Sequence, residues 1–244
     1  MTLSPIQIVN GIFSLIFVII SVIVSILFLS KYRRYKSKLI LLFGIVLLLL
    51  VSSWYASSSS FLIALFINGT GYIITPQIYF VIGFVPLPIA AYIWSIVLTE
   101  LVFQEKKKIF TSAFIIMGII MEIVFFVLLG INPILIGQVI SPIDADYTLL
   151  FTLYEFFLVI YMLITGILFG MASLREDNPE IRLKGKLLIM AFVSFFIGAI
   201  LEILSEISIV IMIIARLILI SSSIEFYGGF MLPDWMKKLF KKNK

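Results

Sequence analysis

Four ionisable side chains interrupt stretches that are otherwise apolar: Glu122, Glu155, Glu202 and Arg216. A charge in hydrocarbon costs at least about 2.5 kcal/mol on insertion scales, so each of these groups needs a partner or a purpose. Three carboxyl groups face one guanidinium, and Arg216 can hold only one of them in a bidentate fork. At least one remaining carboxyl is then protonated or binds a cation from outside. The chemistry on offer is recognition of a small ligand or transfer of an ion. The plainer alternative is that Arg216 pairs with a glutamate only to lock helices together.

These groups share a level. Counted at about 1.5 Å per residue from one end of each run, Arg216 lies about 13 Å deep, Glu122 about 12 Å and Glu155 about 10 Å. Glu202 is shallower and Glu206 sits at the surface. Trp54, Tyr55 and the run Ser57-Ser58-Ser59-Ser60 fall at the same level, as do Pro86 and Pro88, which remove backbone donors and kink their helix, with Gly83 adding freedom. The candidate ligand- or ion-binding wall is therefore Glu122, Glu155, Glu202, Arg216, Ser57, Ser60 and Trp54. Pro86, Pro88 and Glu225 are candidates for gating. Serines and prolines that only tune packing and curvature are an equal alternative. Nearer the opposite end, Glu100 lies within reach of Lys106, Lys107 and Lys108, a pattern of interfacial anchoring.

The elements that must position these residues are membrane helices. Of 244 residues, 62% are hydrophobic and 13% charged, a balance that no soluble globular surface keeps in solution. Seven apolar runs occupy residues 6–30, 39–66, 78–103, 109–130, 148–173, 187–204 and 207–231. Each is long enough to span hydrocarbon, and the last two need a turn at Ser205-Glu206, since one helix through both would exceed any bilayer. The fold class expected is an all-α, seven-helix transmembrane bundle over residues 1–231, with a basic tail over 232–244.

Orientation follows from the basic residues. Every Lys and Arg except Arg216 lies after run 1, 3, 5 or 7, and the intervening loops hold none. Positive charge marks the cytoplasmic side, so the N-terminus is expected outside and the C-terminus in the cytoplasm of a multi-pass protein of the cell membrane. The first residues carry no basic side chain, so an uncleaved first helix is expected. Asn68-Gly69-Thr70 would face outward as a glycosylation sequon. The segment 131–147, bearing Asp144 and Asp146, is hydrophobic enough to fold back over the bundle. Gly166, Gly170 and Ser173 form a small-residue face suited to close helix packing.

In the tail, Trp235, Met236, Leu239 and Phe240 share one arc, with Lys237, Lys238, Lys241 and Lys242 opposite. This is the pattern of a short amphipathic helix lying on the anionic inner leaflet. The net charge of +5 is accordingly a membrane-surface feature, and no nucleic acid is expected as a partner.

Absent residue types exclude whole classes of chemistry. Without Cys or His there is no disulfide, thiolate nucleophile, Cys/His zinc site or Cys-attached haem. Ser–His intramembrane proteolysis and three-histidine zinc hydrolysis are excluded too, and no Asp lies within a run. No cofactor, metal or catalytic residue is expected.

The layout resembles the seven-helix receptor plan, but all lysines lie in basic flanks, which excludes a retinal Schiff base, and the inner motifs of eukaryotic G-protein-coupled receptors are missing. Pro76-Gln77 is similar to the dipeptide of the sugar-transporter family named for it, in a single copy. Arg216-Leu217-Ile218-Leu219, leading into Phe226-Tyr227-Gly228-Gly229-Phe230 and Leu232-Pro233-Asp234-Trp235, resembles the last helix of the seven-helix sensor modules that prokaryotes fuse to histidine kinases or leave free-standing. That resemblance implies a sensor with an outer ligand site and, with no fused output domain here, a cytoplasmic signalling partner. A proton- or cation-coupled transporter using the same carboxylates is the second expectation, and a scaffold with purely structural charges the third.

Overall fold

The computed structural model describes residues 3–66, 74–141, 143–205 and 208–241. The sequon at 68–70, Glu206 and Lys242 lie outside these residues. Helices follow one another almost without interruption: α1 (Pro5–Tyr35), α2 (Lys38–Leu50), α3 (Ser52–Phe66), α4 (Pro76–Phe84), α5 (Pro86–Leu101), α6 (Lys107–Ile131), α7 (Leu149–Leu174), α8 (Pro179–Ile203), α9 (Ile209–Met231) and α10 (Asp234–Lys241). Proline opens α1, α4, α5 and α8, where its missing N–H would have found no partner anyway and its fixed φ suits the helix. Ser4 adds a capping box with Gln7, and the side chains of Asn178 and Ser208 cap α8 and α9.

Six helical stretches are each long and apolar enough to cross a membrane: α1, α4 with α5, α6, α7, α8 and α9. The second apolar run differs from the single helix expected of it. It breaks at Val51, and α2 and α3 meet at 51°, so that only the bent pair together passes the same test. The third run breaks at Val85, just ahead of Pro86. These two breaks touch: the Ser52 hydroxyl opening α3 donates to the Gly83 carbonyl at 3.0 Å, one residue from the end of α4. A carbonyl next to a proline break would otherwise stand unpaired in an apolar interior. The sixth run also differs, because its helix starts at Pro179 and takes in the basic residues 182–186.

The fold is all-α, as expected, apart from one short pair of strands. Between α6 and α7 the chain forms an antiparallel hairpin, β1 (Gly137–Ser141) with β2 (Asp144–Tyr147). The hairpin lies across one end of the bundle, as the apolar character of this segment led one to expect. Ile136 and Ile143 are buried, the Tyr79 hydroxyl donates to the Ile143 carbonyl at 3.4 Å, and Tyr147 packs over Gly83.

Polar seams and small residues join the long helices. Ser14 meets Ser58 at 3.1 Å and Ser21 meets Ser223 at 2.9 Å, tying α1 to α3 and α9. The small face of α7 packs on α8, where a Cβ on Gly185 would come 2.7 Å from the Gly170 carbonyl oxygen.

Candidate functional site

Beneath the hairpin lies a cavity of about 530 Å³. It is walled by α3, α7, α8 and α9 and roofed by β2. Among its lining residues are Trp54, Ser57, Glu155, Glu202 and Arg216, so five of the seven residues assigned to a binding wall come together. Asp144, Asp146, Tyr79 and Tyr147 join them. None of these four was read as a site residue from the sequence. The hairpin and the opening turns of α4 carry them over the cavity, and no periodicity announces that.

The other two expected residues lie elsewhere. Ser60 is buried but does not line the cavity. Glu122 is on a different surface, in a separate apolar groove between α5 and α6 with Pro88, Tyr92, Phe114 and Gly118. Depth along a helix placed Glu122 level with Glu155 and Arg216. Rotation about the α6 axis turns it away from them, and depth says nothing about rotation.

Arg216 is the centre of the wall. It is 2% exposed, and its Nη2 is 2.6 Å from Glu202 Oε1 on the neighbouring helix. The same nitrogen donates to Asn10 Oδ1 at 2.9 Å, which brings α1 into the network. Asn10 is a fifth residue that sequence reasoning missed. A carboxamide inside the apolar run of α1 was the available signal. The guanidinium carbon also stands 6.0 Å from the centre of the Trp54 ring, within range of a cation–π attraction.

This network leaves much unspent. Arg216 Nε and Nη1, Glu202 Oε2 and Glu155 Oε1 are shielded from solvent and have no hydrogen-bond partner among the described residues. Fully satisfied polar groups are the rule in protein interiors, and more strictly so in membranes, so spare donors and acceptors on one cavity wall mark a place where something else binds. Across the cavity, Ser57 and Tyr79 lie 2.9 Å apart, and since the Tyr79 proton goes to Ile143, Ser57 donates to Tyr79. Loss of solvent, and after it the Glu155 charge, pushes the Tyr147 hydroxyl well above the usual phenol range, so Tyr147 remains a neutral group over the cavity.

Toward the basic end the cavity stops at aromatic packing. Thr165, Phe192 and Phe226 each lie ten residues from a wall residue on their own helix, Glu155, Glu202 and Arg216 respectively, or about 15 Å. At that level Trp94 and Phe192 rings are 5.1 Å apart, Phe192 and Phe226 4.8 Å, and Phe43 and Phe226 5.4 Å. The indole N–H of Trp94 donates to Thr165 at 2.8 Å.

The candidate gating residues divide. Pro86 opens α5 at the break and Pro88 is buried beside the Glu122 groove. Glu225 sits at the level of the aromatic layer, next to Phe226, and accepts from Ser221 at 2.8 Å. Glu100 pairs with Lys38 at 3.4 Å and Lys107 at 3.2 Å, joining α2, α5 and α6. In the tail, Lys237 meets Glu180 at 2.9 Å and Met236 packs on Gly228, while Trp235, Leu239 and Phe240 are exposed. The arc expected to face lipid is thus divided, with Met236 turned onto the bundle.

No protein-family model matches the chain, and no curated protein is similar enough in sequence to count as a relative.

Proposed function

We propose that this protein is a membrane sensor or receptor-like protein that binds a small ligand in the cavity beneath the hairpin. In this reading α2 and α3 cross as one bent span, making seven. The N-terminus and hairpin lie outside the cell membrane, and the basic connections and α10 lie in the cytoplasm, against anionic lipid. Ligand contact with the unspent side of Arg216 would alter its pairing with Glu202 and Asn10. That shifts α9 against α8 and α1, and α10 carries the shift to a cytoplasmic signalling partner.

The observation that supports this is the incomplete satisfaction of Arg216 on the cavity wall. A scaffold would be expected to pair its buried charges fully. A coupled transporter needs a polar path through both halves, and aromatic rings occupy the level below the cavity. The test is reconstitution into proteoliposomes with measurement of proton and monovalent cation flux. Wild-type protein is expected to carry none. Flux that collapses in folded Glu155→Gln would replace the sensor reading with transport.

A further inference from the structure

The cavity's charges do not balance. Besides Asp144, which has an interaction of its own, Asp146, Glu155 and Glu202 line it, against a single cation among the described residues, Arg216. Every other Lys and Arg of the chain belongs to the basic connections at the far end or to the tail. Among the described residues, no Lys or Arg other than Arg216 lines the cavity. Glu155 shows the consequence most plainly. It projects from α7 and lines the same cavity as the Arg216–Glu202 pair, with one oxygen shielded and unpartnered among the described residues.

The space is far larger than an inorganic ion needs, since about 530 Å³ compares with about 30 Å³ for a water molecule in the liquid. No group of three or more metal-ligating side chains is found among the described residues. Aromatic rings are abundant instead: Trp54, Tyr79, Tyr147, Phe156 and Phe195. Ring faces attract organic cations, and do so more strongly where water is excluded. Arg216 adds a second requirement, because its unspent N–H groups need an acceptor.

We propose that the ligand is a small organic cation with an aromatic or apolar body and a hydrogen-bond acceptor, its ammonium group seated at Glu155 and its acceptor at Arg216. This rests on the reading of the cavity as a ligand site. A cation alone would leave the Arg216 donors bare, and an anion would add to an existing excess of negative charge. An amine that bears a hydroxyl or carbonyl satisfies both walls at once.

The experiment uses full-length protein in lipid nanodiscs and matched probes of one skeleton: phenethylamine, phenethyl alcohol and hydrocinnamate. Binding is read from the ligand-dependent change in tryptophan fluorescence in a Trp235→Phe background, where Trp54 lines the cavity and Trp94 does not, and from the thermal midpoint. Phenethylamine is expected to bind saturably, about tenfold or more tightly than either counterpart, as a charge-assisted hydrogen bond implies. Glu155→Gln is expected to remove that preference while the protein stays folded. A hydroxyl on the amine's side chain should tighten binding, and Arg216→Met should remove that gain. Equal or tighter binding of the alcohol or the carboxylate overturns the cation and leaves a ligand site standing. Silence from all three probes in folded protein overturns the inference too, and thiol labelling at Ser57→Cys then reads separately whether the cavity admits solutes at all.

Discussion

Arg216 and Glu202 are joined at 2.6 Å through a single guanidinium nitrogen, Nη2, which also donates to Asn10. One nitrogen thus holds α8 and α1 to α9, while the rest of the guanidinium is free for the cavity. In the proposed reading Nη2 keeps the structural role, and Nε and Nη1, unpartnered among the described residues, are left for the ligand.

Removing Arg216 should therefore cost more than removing either partner. Arg216→Met strands the Glu202 carboxylate, and the expected loss is about 3–5 kcal/mol. Arg216→Met with Glu202→Gln should recover part of it, because no unpaired charge is left behind. Thermal unfolding in detergent checks this, and a double variant no more stable than the single one would show that the pair does not act as a unit.

The junction of the two helix breaks makes a separate prediction. Ser52→Ala leaves the Gly83 carbonyl bare and should destabilise by about 0.6 kcal/mol, the usual worth of a polar contact between membrane helices. Gly83→Ala should do more, since its Cβ would stand 2.7 Å from the Tyr147 hydroxyl and lift the hairpin. Faster proteolysis within 137–147 is the measurement, and unchanged cleavage in Gly83→Ala would mean the hairpin is held elsewhere.

Packing of α7 on α8 depends on two glycines facing each other. Gly185→Val should prevent their approach and lower the yield of folded protein sharply, because the obstructing atom is the Gly170 backbone oxygen. By contrast, Gly130→Ala meets nothing within 4 Å and should behave as wild type in size-exclusion and thermal assays.

The chain has no cysteine, so single substitutions report without background. Asp146→Cys, on the exposed rim, should react with an impermeant maleimide added outside intact cells, and Lys107→Cys only after permeabilisation. The reverse pattern would invert the topology.

For the tail, Lys237→Ala breaks the contact with Glu180 and weakens attraction to anionic lipid by about 1 kcal/mol. Quenching of Trp235 by brominated anionic lipid should fall in this variant, and quenching that rises instead would mean that Glu180 holds the helix away from the surface.

Much of this architecture was legible in the order of residues. Runs of about twenty apolar residues can satisfy their backbones in hydrocarbon only as helices, so the all-helical character of the chain followed from length and composition, while the breaks at Val51 and Val85 did not. The polar residues confined to such runs, Glu155, Glu202 and Arg216, stood out because charge there is costly. What one dimension does not contain is rotation about a helix axis and contact across distant segments. Rotation separated Glu122 from Glu155 at equal depth. The bend at Val51 depends on the Gly83 carbonyl that Ser52 meets, and the roof of the cavity depends on a hairpin whose residues earn their place only by packing on Tyr79 and Gly83. Composition and spacing decided that this chain is built of helices long and apolar enough to cross a membrane and carries a few buried charges. Tertiary structure decided which of those charges share a cavity, because only packing sets the direction in which each side chain points.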